Sequence, residues 1–231
     1  MIFQVGDKSG VYCIENAGHA RVYYVAPEAT LIDAGEPGKA SNILSALANI
    51  GVQPLHVKRI ILTHHHYDHV GSVWELKRRT GAQVIAHHRD AEYVSGKRVR
   101  RPPHQFTGRI LFGLMSLFGA RNVPGVHIDQ RLQDGDTVGA FSVVHTPGHT
   151  PGHICLLREG YLFSGDLLLA KASGFAETPH VFTADVPTSR ESIRKVAALK
   201  FDAVLSAHNP PVVFGAQNKL RDLANKLGML P

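Results

Sequence analysis

The feature that most constrains this chain is an apolar run that ends in four histidines and an aspartate, "VKRIILTHHHYDHVGS", residues 57–72. Its apolar part predicts a short buried β-strand, because β-branched residues in such runs favour that state. Side chains as polar as those that follow resist burial in an ordinary core. We therefore expect the chain to leave the strand at the edge of the fold and to gather these side chains for chemistry.

The spacing within the cluster predicts metal binding. In an extended segment His64 and His66 project to the same side, so both imidazoles can reach one ion. If the chain turns after Tyr67, then Asp68 and His69 can face a second ion nearby. Imidazole and carboxylate groups suit zinc, with manganese and iron as competitors. These residues therefore predict a divalent metal ion, and a second one if the chain turns in this way, with zinc as the first choice.

Composition bounds the class of protein. Of the 231 residues, 44% are hydrophobic and 19% are charged, which is typical of a soluble globular chain with a sizeable core. No apolar run reaches the roughly 18 residues that span a bilayer. The N-terminus lacks the pattern of a secretory signal. We therefore expect a cytoplasmic protein with no membrane partner, and Cys13 and Cys155 as buried thiols.

The formal net charge of +6 raises the question of a nucleic-acid partner. Four of the basic residues lie in "SGKRVRRPP", residues 95–103, and the others are scattered without interleaved aromatic residues. A groove that stacks bases needs such aromatic residues, so we do not expect nucleic-acid binding. A solvated basic loop is the first interpretation, and attraction of a small anionic substrate is the second.

The order of predicted elements describes two similar halves, each with strands followed by helices. The first half contains a helix with Ile43 and Leu47 on one face. The second contains the helix "TSRESIRKVAALK", in which Thr188 and Glu191 have the spacing of a capping box. This order predicts stacked sheets with helices outside, in a single domain over residues 1–231. Beyond the histidine cluster, Asp33, His149, Asp166 and His208 also lie near predicted strand ends, where sheet-supported loops carry functional groups.

Taken together, these segments resemble the metallo-β-lactamase superfamily. The resemblance lies in "LIDAG", "THHHYDHVGS", "HTPGHTPGH", "FSGD" and "LSAHNPP", which follow one another from about Asp33 to His208. It implies an α/β fold, a four-layer αββα sandwich with a two-metal site at the sheet edge. By that resemblance the first ion is bound by His64, His66 and His149, the second by Asp68, His69 and His208, and both by Asp166. Asp33 is implied to orient a ligand histidine.

Three positions narrow the branch of the superfamily. His66 is not the glutamate that flavodiiron oxygen reductases have there. Residue 69 is histidine and no cysteine lies near Asp166, unlike in many true β-lactamases. The pattern is closer to glyoxalase II and the lactonases, although Leu169 stands where homoserine-lactone lactonases commonly have a tyrosine. The resemblance therefore assigns no substrate, and the sequence assigns no substrate-binding residue.

The resemblance and the ligand set predict a dinuclear metal-dependent hydrolase of a small ester, lactone or thioester that uses a metal-bound hydroxide. Asp68 is the predicted catalytic residue, which holds the water and passes a proton to the leaving group. An iron-dependent persulfide dioxygenase of the same fold is the alternative. Two zinc ions per chain would favour hydrolysis, and one iron ion with oxygen uptake would favour oxidation. A docking module without catalysis is disfavoured, since open ligand sets belong to catalytic sites.

Arg100–Gly125 interrupts the rhythm of strands and helices and forms the core of a predicted insertion over residues 97–127. Its middle, Ile110–Phe118, is too apolar for a solvated loop and too short for a membrane span. A buried connecting helix, a wall over the metal pocket and a homodimer contact all stay open, although the family places an insertion here beside the active site. His65 and His153 are expected to make supporting hydrogen bonds rather than to bind metal.

Overall fold

The structure is a computed structural model that describes residues 1–6, 10–98 and 123–228. Its first sheet has seven strands that pair in chain order, antiparallel from β1 to β4 and parallel from β4 to β7. These strands are β1 (Ile2–Gln4), β2 (Val11–Ile14), β3 (Val22–Val25), β4 (Thr30–Ile32), β5 (Arg59–Leu62), β6 (Gln83–His87) and β7 (Gln130–Leu132).

The second sheet has five strands in the order β14-β11-β10-β9-β8, of which only β11 and β14 are parallel neighbours. They are β8 (Thr137–Val138), β9 (Phe141–His145), β10 (Ile154–Arg158), β11 (Tyr161–Gly165) and β14 (Ala203–Ser206). A separate hairpin lies between β11 and β14 in the chain and consists of β12 (Leu168–Lys171) and β13 (Gly174–Glu177).

Six α-helices lie within the described residues: α1 (Ala40–Ala48), α2 (Tyr67–Val70), α3 (Val73–Thr80), α4 (His88–Val94), α5 (Val186–Ala197) and α6 (Ala216–Lys226). Short 3-10 turns cover Ala26–Glu28, Pro54–His56 and His180–Phe182. None of the helices in these ranges is long and apolar enough to cross a bilayer.

Three buried clusters define four layers. Alternate residues of a strand face opposite sides of its sheet, so in β5 Ile60 packs with α1 and α3 whereas Ile61 packs between the two sheets. Phe163 of β11 belongs to the same central cluster as Ile61. On the far side of the second sheet, α5 and α6 contribute Ile193 and Leu220 to a third cluster. The predicted αββα sandwich is therefore confirmed.

Two helix ends depend on the local sequence. Gly81 ends α3 in the left-handed conformation that glycine adopts without a Cβ penalty. The capping box at Thr188 was wrong, because α5 begins at Val186 and its N-cap is Asp185. The Asp185 carboxylate accepts the Thr188 N–H at 3.0 Å. Glu191 is left to pair with Arg194 on the exposed face.

The sandwich brings the predicted site residues to one edge. Asp33 and His64 follow the neighbouring parallel strands β4 and β5, and Asp166 directly follows β11. His208 lies just after β14, which is parallel to β11. Carboxyl ends of parallel strands meet at the same edge, so both sheets deliver polar side chains to one place. Cys13 and Cys155 are buried free thiols, as predicted. Ile110–Phe118 lies outside the described residues, so the role of that segment stays a prediction.

Candidate metal centre

Four of the predicted ligands meet beyond the end of β5. One ligand atom from each of His64, His66, His149 and Asp166 lies within 4.8 Å of the others. His149 Nε2 is 2.9 Å from His66 Nδ1 and 3.5 Å from Asp166 Oδ2. Two ligands of a tetrahedral ion with bonds of about 2.1 Å lie about 3.4 Å apart. These atoms, which we call the first group, are therefore spaced as the ligands of one ion.

The other three predicted ligands form a second group. One ligand atom from each of Asp68, His69 and His208 also lies within 4.8 Å of the others. Asp68 Oδ2 is 3.7 Å from His69 Nε2 and 3.5 Å from His208 Nε2. The turn that the sequence required after Tyr67 is the short helix α2, which carries Asp68 and His69. The second group is thus spaced for an ion of its own.

Asp166 lies between the two groups. Its Oδ1 is 3.2 Å from His69 Nε2, and its Oδ2 is 3.1 Å from His208 Nε2. The same Oδ2 faces His149 and His64 of the first group. One carboxylate therefore reaches both groups, which is the arrangement expected of a ligand shared by two ions.

Unpaired buried atoms test whether the residues fit a metal. Within the described part of the chain, His64 Nε2, His69 Nε2 and Asp166 Oδ1 are buried and have no hydrogen-bond partner. Buried polar atoms are normally paired, so three unpaired polar atoms that lie close together require an explanation. A pair of cations would satisfy all of them, and imidazole with carboxylate is a donor set suited to zinc.

The three histidines of the first group are neutral. Burial lowers the pKa of His64 well below its usual value, and the imidazoles of His69, His66 and His149 lower it further. Burial also lowers the pKa of His66 well below its usual value, and it lowers the pKa of His149 to about 3. Neutral imidazoles keep the lone pairs that a metal needs.

The second group carries more charge. Burial opposes protonation of His69, but Asp166, Asp33 and Asp68 together raise the pKa of its imidazole well above the usual value. Burial likewise opposes protonation of His208, and Asp166 nevertheless raises its pKa. Burial raises the pKa of Asp68. The carboxylates around His69 and His208 therefore favour positive charge in the second group.

Asp33 makes the contact expected of an orienting residue. Its Oδ2 is 2.8 Å from His69 Nδ1, and its carboxylate accepts the Thr63 N–H at 2.8 Å and the Thr63 hydroxyl at 2.9 Å. Thr63 Oγ1 is in turn 3.1 Å from His64 Nδ1. When His64 Nδ1 and His69 Nδ1 donate these hydrogen bonds, the lone pairs on Nε2 of both rings face the metal centre. Asp33 holds a positive φ of 64°, a strained conformation typical of functional positions.

The two other histidines of the motifs act as supports. His153 Nε2 accepts the Asp166 N–H at 3.1 Å, and its Nδ1 lies 2.8 Å from Thr146 Oγ1. His65 points away from both groups and places Nδ1 2.9 Å from Asp90 Oδ2. Sequence reasoning missed Thr63 and Asp90. Thr63 directly precedes the motif and could have been suspected, whereas a lone aspartate on a distant helix gives no signal.

Residues 21–208 match the family described as the Metallo-beta-lactamase superfamily. This match covers most of the chain, and the chain belongs to that superfamily.

Three similar proteins show how far the likeness extends. The chain is 32% identical over 219 residues to "Probable metallo-hydrolase YflN" of Bacillus subtilis (strain 168), covering 87% of this chain and 83% of that protein. It is 31% identical over 174 residues to "Hydroxyacylglutathione hydrolase" of Pectobacterium carotovorum, covering 74% of this chain and 53% of that protein, so it spans about half of that relative. A metallo-beta-lactamase family protein from Thermus thermophilus superposes with a TM-score of 0.72 over 95% of this chain and 79% of its own, at 23% identity. That last likeness shows the fold alone.

Proposed function

We propose that this chain is a dinuclear metal-dependent hydrolase of a small ester, lactone or thioester. The coarser class, a metal-dependent hydrolase of the superfamily, follows from the family and from the cluster of histidines and aspartates. The observation that supports the dinuclear form is the meeting of all seven predicted ligands in two groups that share Asp166. The name of one relative, a hydrolase of an acylated glutathione, supports an acyl substrate.

The residues suit attack by hydroxide on a carbonyl carbon. Two divalent ions held by these groups would lower the pKa of a shared water, so that hydroxide is available near neutral pH. No serine or cysteine nucleophile is then needed. Asp68 stands at the open side of the centre, where its side chain is 14% exposed. We assign to its carboxylate the role of holding the attacking water and returning a proton to the leaving group. A carboxylate bound to a metal is a weak base, so orientation of the water is the larger part of that role.

Zinc is the proposed metal, with manganese or iron as competitors. Five of the seven ligands are histidines, and nitrogen-rich sets of this kind suit zinc. The alternative, an iron-dependent persulfide dioxygenase, needs one iron ion. The complete second group supports two ions and therefore favours hydrolysis. We also propose a small-molecule substrate, because the polar side chains of both sheets converge on one place at the edge of the sandwich.

Metal content and activity together test the proposal. The purified protein is analysed for zinc, manganese and iron, and is then assayed on thioesters, lactones, aryl esters and phosphodiesters. We expect two zinc ions per chain and turnover of an acyl substrate that a chelator abolishes and zinc restores. A single iron ion with oxygen uptake on a persulfide would overturn the proposal in favour of the dioxygenase.

A substitution at Asp68 tests its role in the reaction. Asp68→Asn preserves size and removes the charge, so turnover should fall by about a hundredfold, as for a lost acid–base group. Asp222→Asn on the exposed face of α6 changes net charge equally and serves as the control, with unchanged turnover expected. Full turnover of Asp68→Asn at full metal occupancy would exclude the carboxylate from the chemistry.

A further inference from the structure

A buried carboxylate outside the ligand set ties the two sheets together beside the first group. Asp90 lies on α4, immediately after β6, and is 1% exposed. Its Oδ2 accepts the His65 N–H at 3.1 Å and the Thr150 hydroxyl at 2.7 Å. Its Oδ1 accepts the Gly152 N–H at 2.8 Å. Three donors from two separate segments thus converge on one side chain.

These donors are the immediate neighbours of metal ligands. The His65 N–H lies in the backbone between His64 and His66, in the segment that leaves the first sheet. Thr150 directly follows His149, in the loop between β9 and β10 of the second sheet. Asp90 therefore joins the segment that carries two imidazoles of the first group to the loop that carries the third.

Charge strengthens this connection. Burial raises the pKa of Asp90, but the His65 imidazole, the Thr150 hydroxyl and the Gly152 N–H outweigh burial and lower it. The side chain is therefore a carboxylate in the folded protein. Hydrogen bonds to a charged acceptor are about twice as strong as neutral ones, so the three donors are held firmly.

The packing around Asp90 leaves little freedom. A Cβ on Gly152 would lie 2.6 Å from the Asp90 backbone nitrogen, so only glycine permits this approach of loop and helix. On the other side, the His65 ring stacks on Tyr93 of the same helix with centroids 4.3 Å apart and planes 12° apart. His65, the residue between two ligands, is thus fixed by α4 through both its backbone and its ring.

We propose that Asp90 is the positioning residue of the first group: it sets the distance between the His64–His66 segment and the His149 loop, so that three imidazoles meet one ion. The proposal rests on the dinuclear centre proposed above. The second group has a different anchor, because Asp33 contacts the His69 ring directly. A backbone hydrogen bond from Ile154 to Thr63 also joins the sheets, at 2.9 Å, so the sandwich itself does not depend on Asp90. Its loss should therefore affect the first ion and spare the second.

Asp90→Asn tests this selectivity, because the amide keeps the volume but has one acceptor oxygen, whereas the donors meet both oxygens of Asp90. The full chain is stripped of metal and titrated with Zn²⁺ in two backgrounds: His208→Ala, which leaves the first group intact, and His149→Ala, which leaves the second group. We expect Asp90→Asn to weaken the first ion by about 10- to 100-fold, the usual cost of losing an outer partner, and to leave the second unchanged. Co²⁺ absorption spectra in the same backgrounds report the geometry of each site without any assay of activity.

Asp129→Asn is the matched control. Like Asp90, Asp129 accepts a backbone hydrogen bond, here from the Val84 N–H at 2.7 Å. This contact lies near the start of β6, whereas Asp90 follows its end. We expect it to lower the melting temperature of the metal-free protein without changing either affinity for Zn²⁺. A second pair of variants keeps the test valid if Asp90→Asn does not fold. Thr150→Val removes one donor to Asp90 and should lower the affinity for the first ion several-fold. Thr150→Ser keeps the hydroxyl and should retain the affinity of the wild type.

Several results would overturn the proposal. Unchanged affinity for the first ion in both Asp90→Asn and Thr150→Val would do so, as would equal weakening of both ions. Wild-type protein that binds no Zn²⁺ would overturn both the dinuclear centre and the role of Asp90. Wild-type protein that binds two ions but hydrolyses no substrate would overturn only the proposed hydrolase, and the Asp90 comparison would still decide the positioning role.

Discussion

The two groups of ligands differ in how the fold encloses them. In the first group, the side chains of His64 and His149 are 0% and 1% exposed and come from different sheets. In the second group, Asp68 and His208 are 14% and 26% exposed, and two of the three ligands lie on one turn of α2. Apart from the partly exposed His66, the first group is buried between the two sheets, whereas the second group, apart from the buried His69, is partly open to solvent.

The carboxylates that support the two groups also differ in what they contact. Asp33 holds a ligand ring of the second group directly, through His69 Nδ1. Asp90 touches no ligand ring of the first group and acts on the backbone on either side of it. Direct contact fixes the orientation of one ring, but backbone contacts fix the spacing of loops from two sheets. Because a preorganised and buried site loses less freedom on binding, we expect the first group to hold its ion more tightly than the second.

The largest effect is expected where the two groups meet. Asp166→Ala removes the one carboxylate that faces both, so the affinity for both ions should fall by more than the roughly 10- to 100-fold cost of an outer partner. Elemental analysis after dialysis measures the outcome, and Asp202→Ala at an exposed turn serves as the control. Retention of two ions per chain by Asp166→Ala would refute the shared ligand and show that the two groups bind their ions independently.

The next effect separates the groups. His149→Ala opens the junction between the sheets and should leave at most one weakly held ion, whereas His208→Ala should leave one tightly held ion in the first group. Zn²⁺ titration of the metal-free variants gives both the stoichiometry and the affinities. Tighter residual binding in His149→Ala than in His208→Ala would reverse the order of affinities inferred from burial.

A third, smaller effect tests the direct anchor. Asp33→Asn retains a side chain that tolerates a positive φ, so the backbone should hold its conformation while the carboxylate is lost. We expect the second ion to weaken by about 10- to 100-fold in the His149→Ala background. The first ion, measured in the His208→Ala background, should weaken less, since Thr63 contacts His64 independently. Equal losses would show that Asp33 supports the whole edge rather than one ring.

Sequence patterns predicted the layers and the closeness of His64 to His66 because both depend on local order. The alternation of Ile60 and Ile61 follows the period of a strand, and His64 and His66 are close in space because they are close in the chain. His149 and Asp166 could be placed only through the resemblance, since nothing local brings their loops together.

The remaining features depend on contacts between distant residues. Asp90 is 60 residues from Thr150, and no motif links them, so its role appears only when α4 and the loop between β9 and β10 are packed. The cap of α5 was misplaced for a related reason: Asp185 and Thr188 both fit an N-cap, and the loop that precedes the helix decides between them. Substrate-binding residues stay unassigned, because pocket shape depends on loops rather than on periodicity.

The smallest predicted effect concerns a histidine contact between the two sheets that lies outside both groups. His87 ends β6 and stacks on His145, which ends β9, with centroids 4.0 Å apart and planes 12° apart. Burial and, after it, the imidazoles of His145 and His88 lower the pKa of His87 to about 4. Its Nδ1 accepts the Arg89 N–H at 3.3 Å, which requires the neutral ring. This junction therefore resembles the first group in holding neutral imidazoles between sheets, but it has no ligand role.

Acid should weaken this junction in a defined window of pH. Because the pKa is lowered on folding, the unfolded chain binds a proton first as the pH falls below about 6.5, and the free energy of unfolding decreases until about pH 4, where the folded protein is protonated as well. In metal-free protein, the melting temperature of His87→Gln should thus decline less steeply than that of the wild type between these values. His56→Gln, at an exposed turn, should follow the wild type. Parallel curves for His87→Gln and the wild type would show that protonation of His87 does not change the stability of the contact between the two sheets.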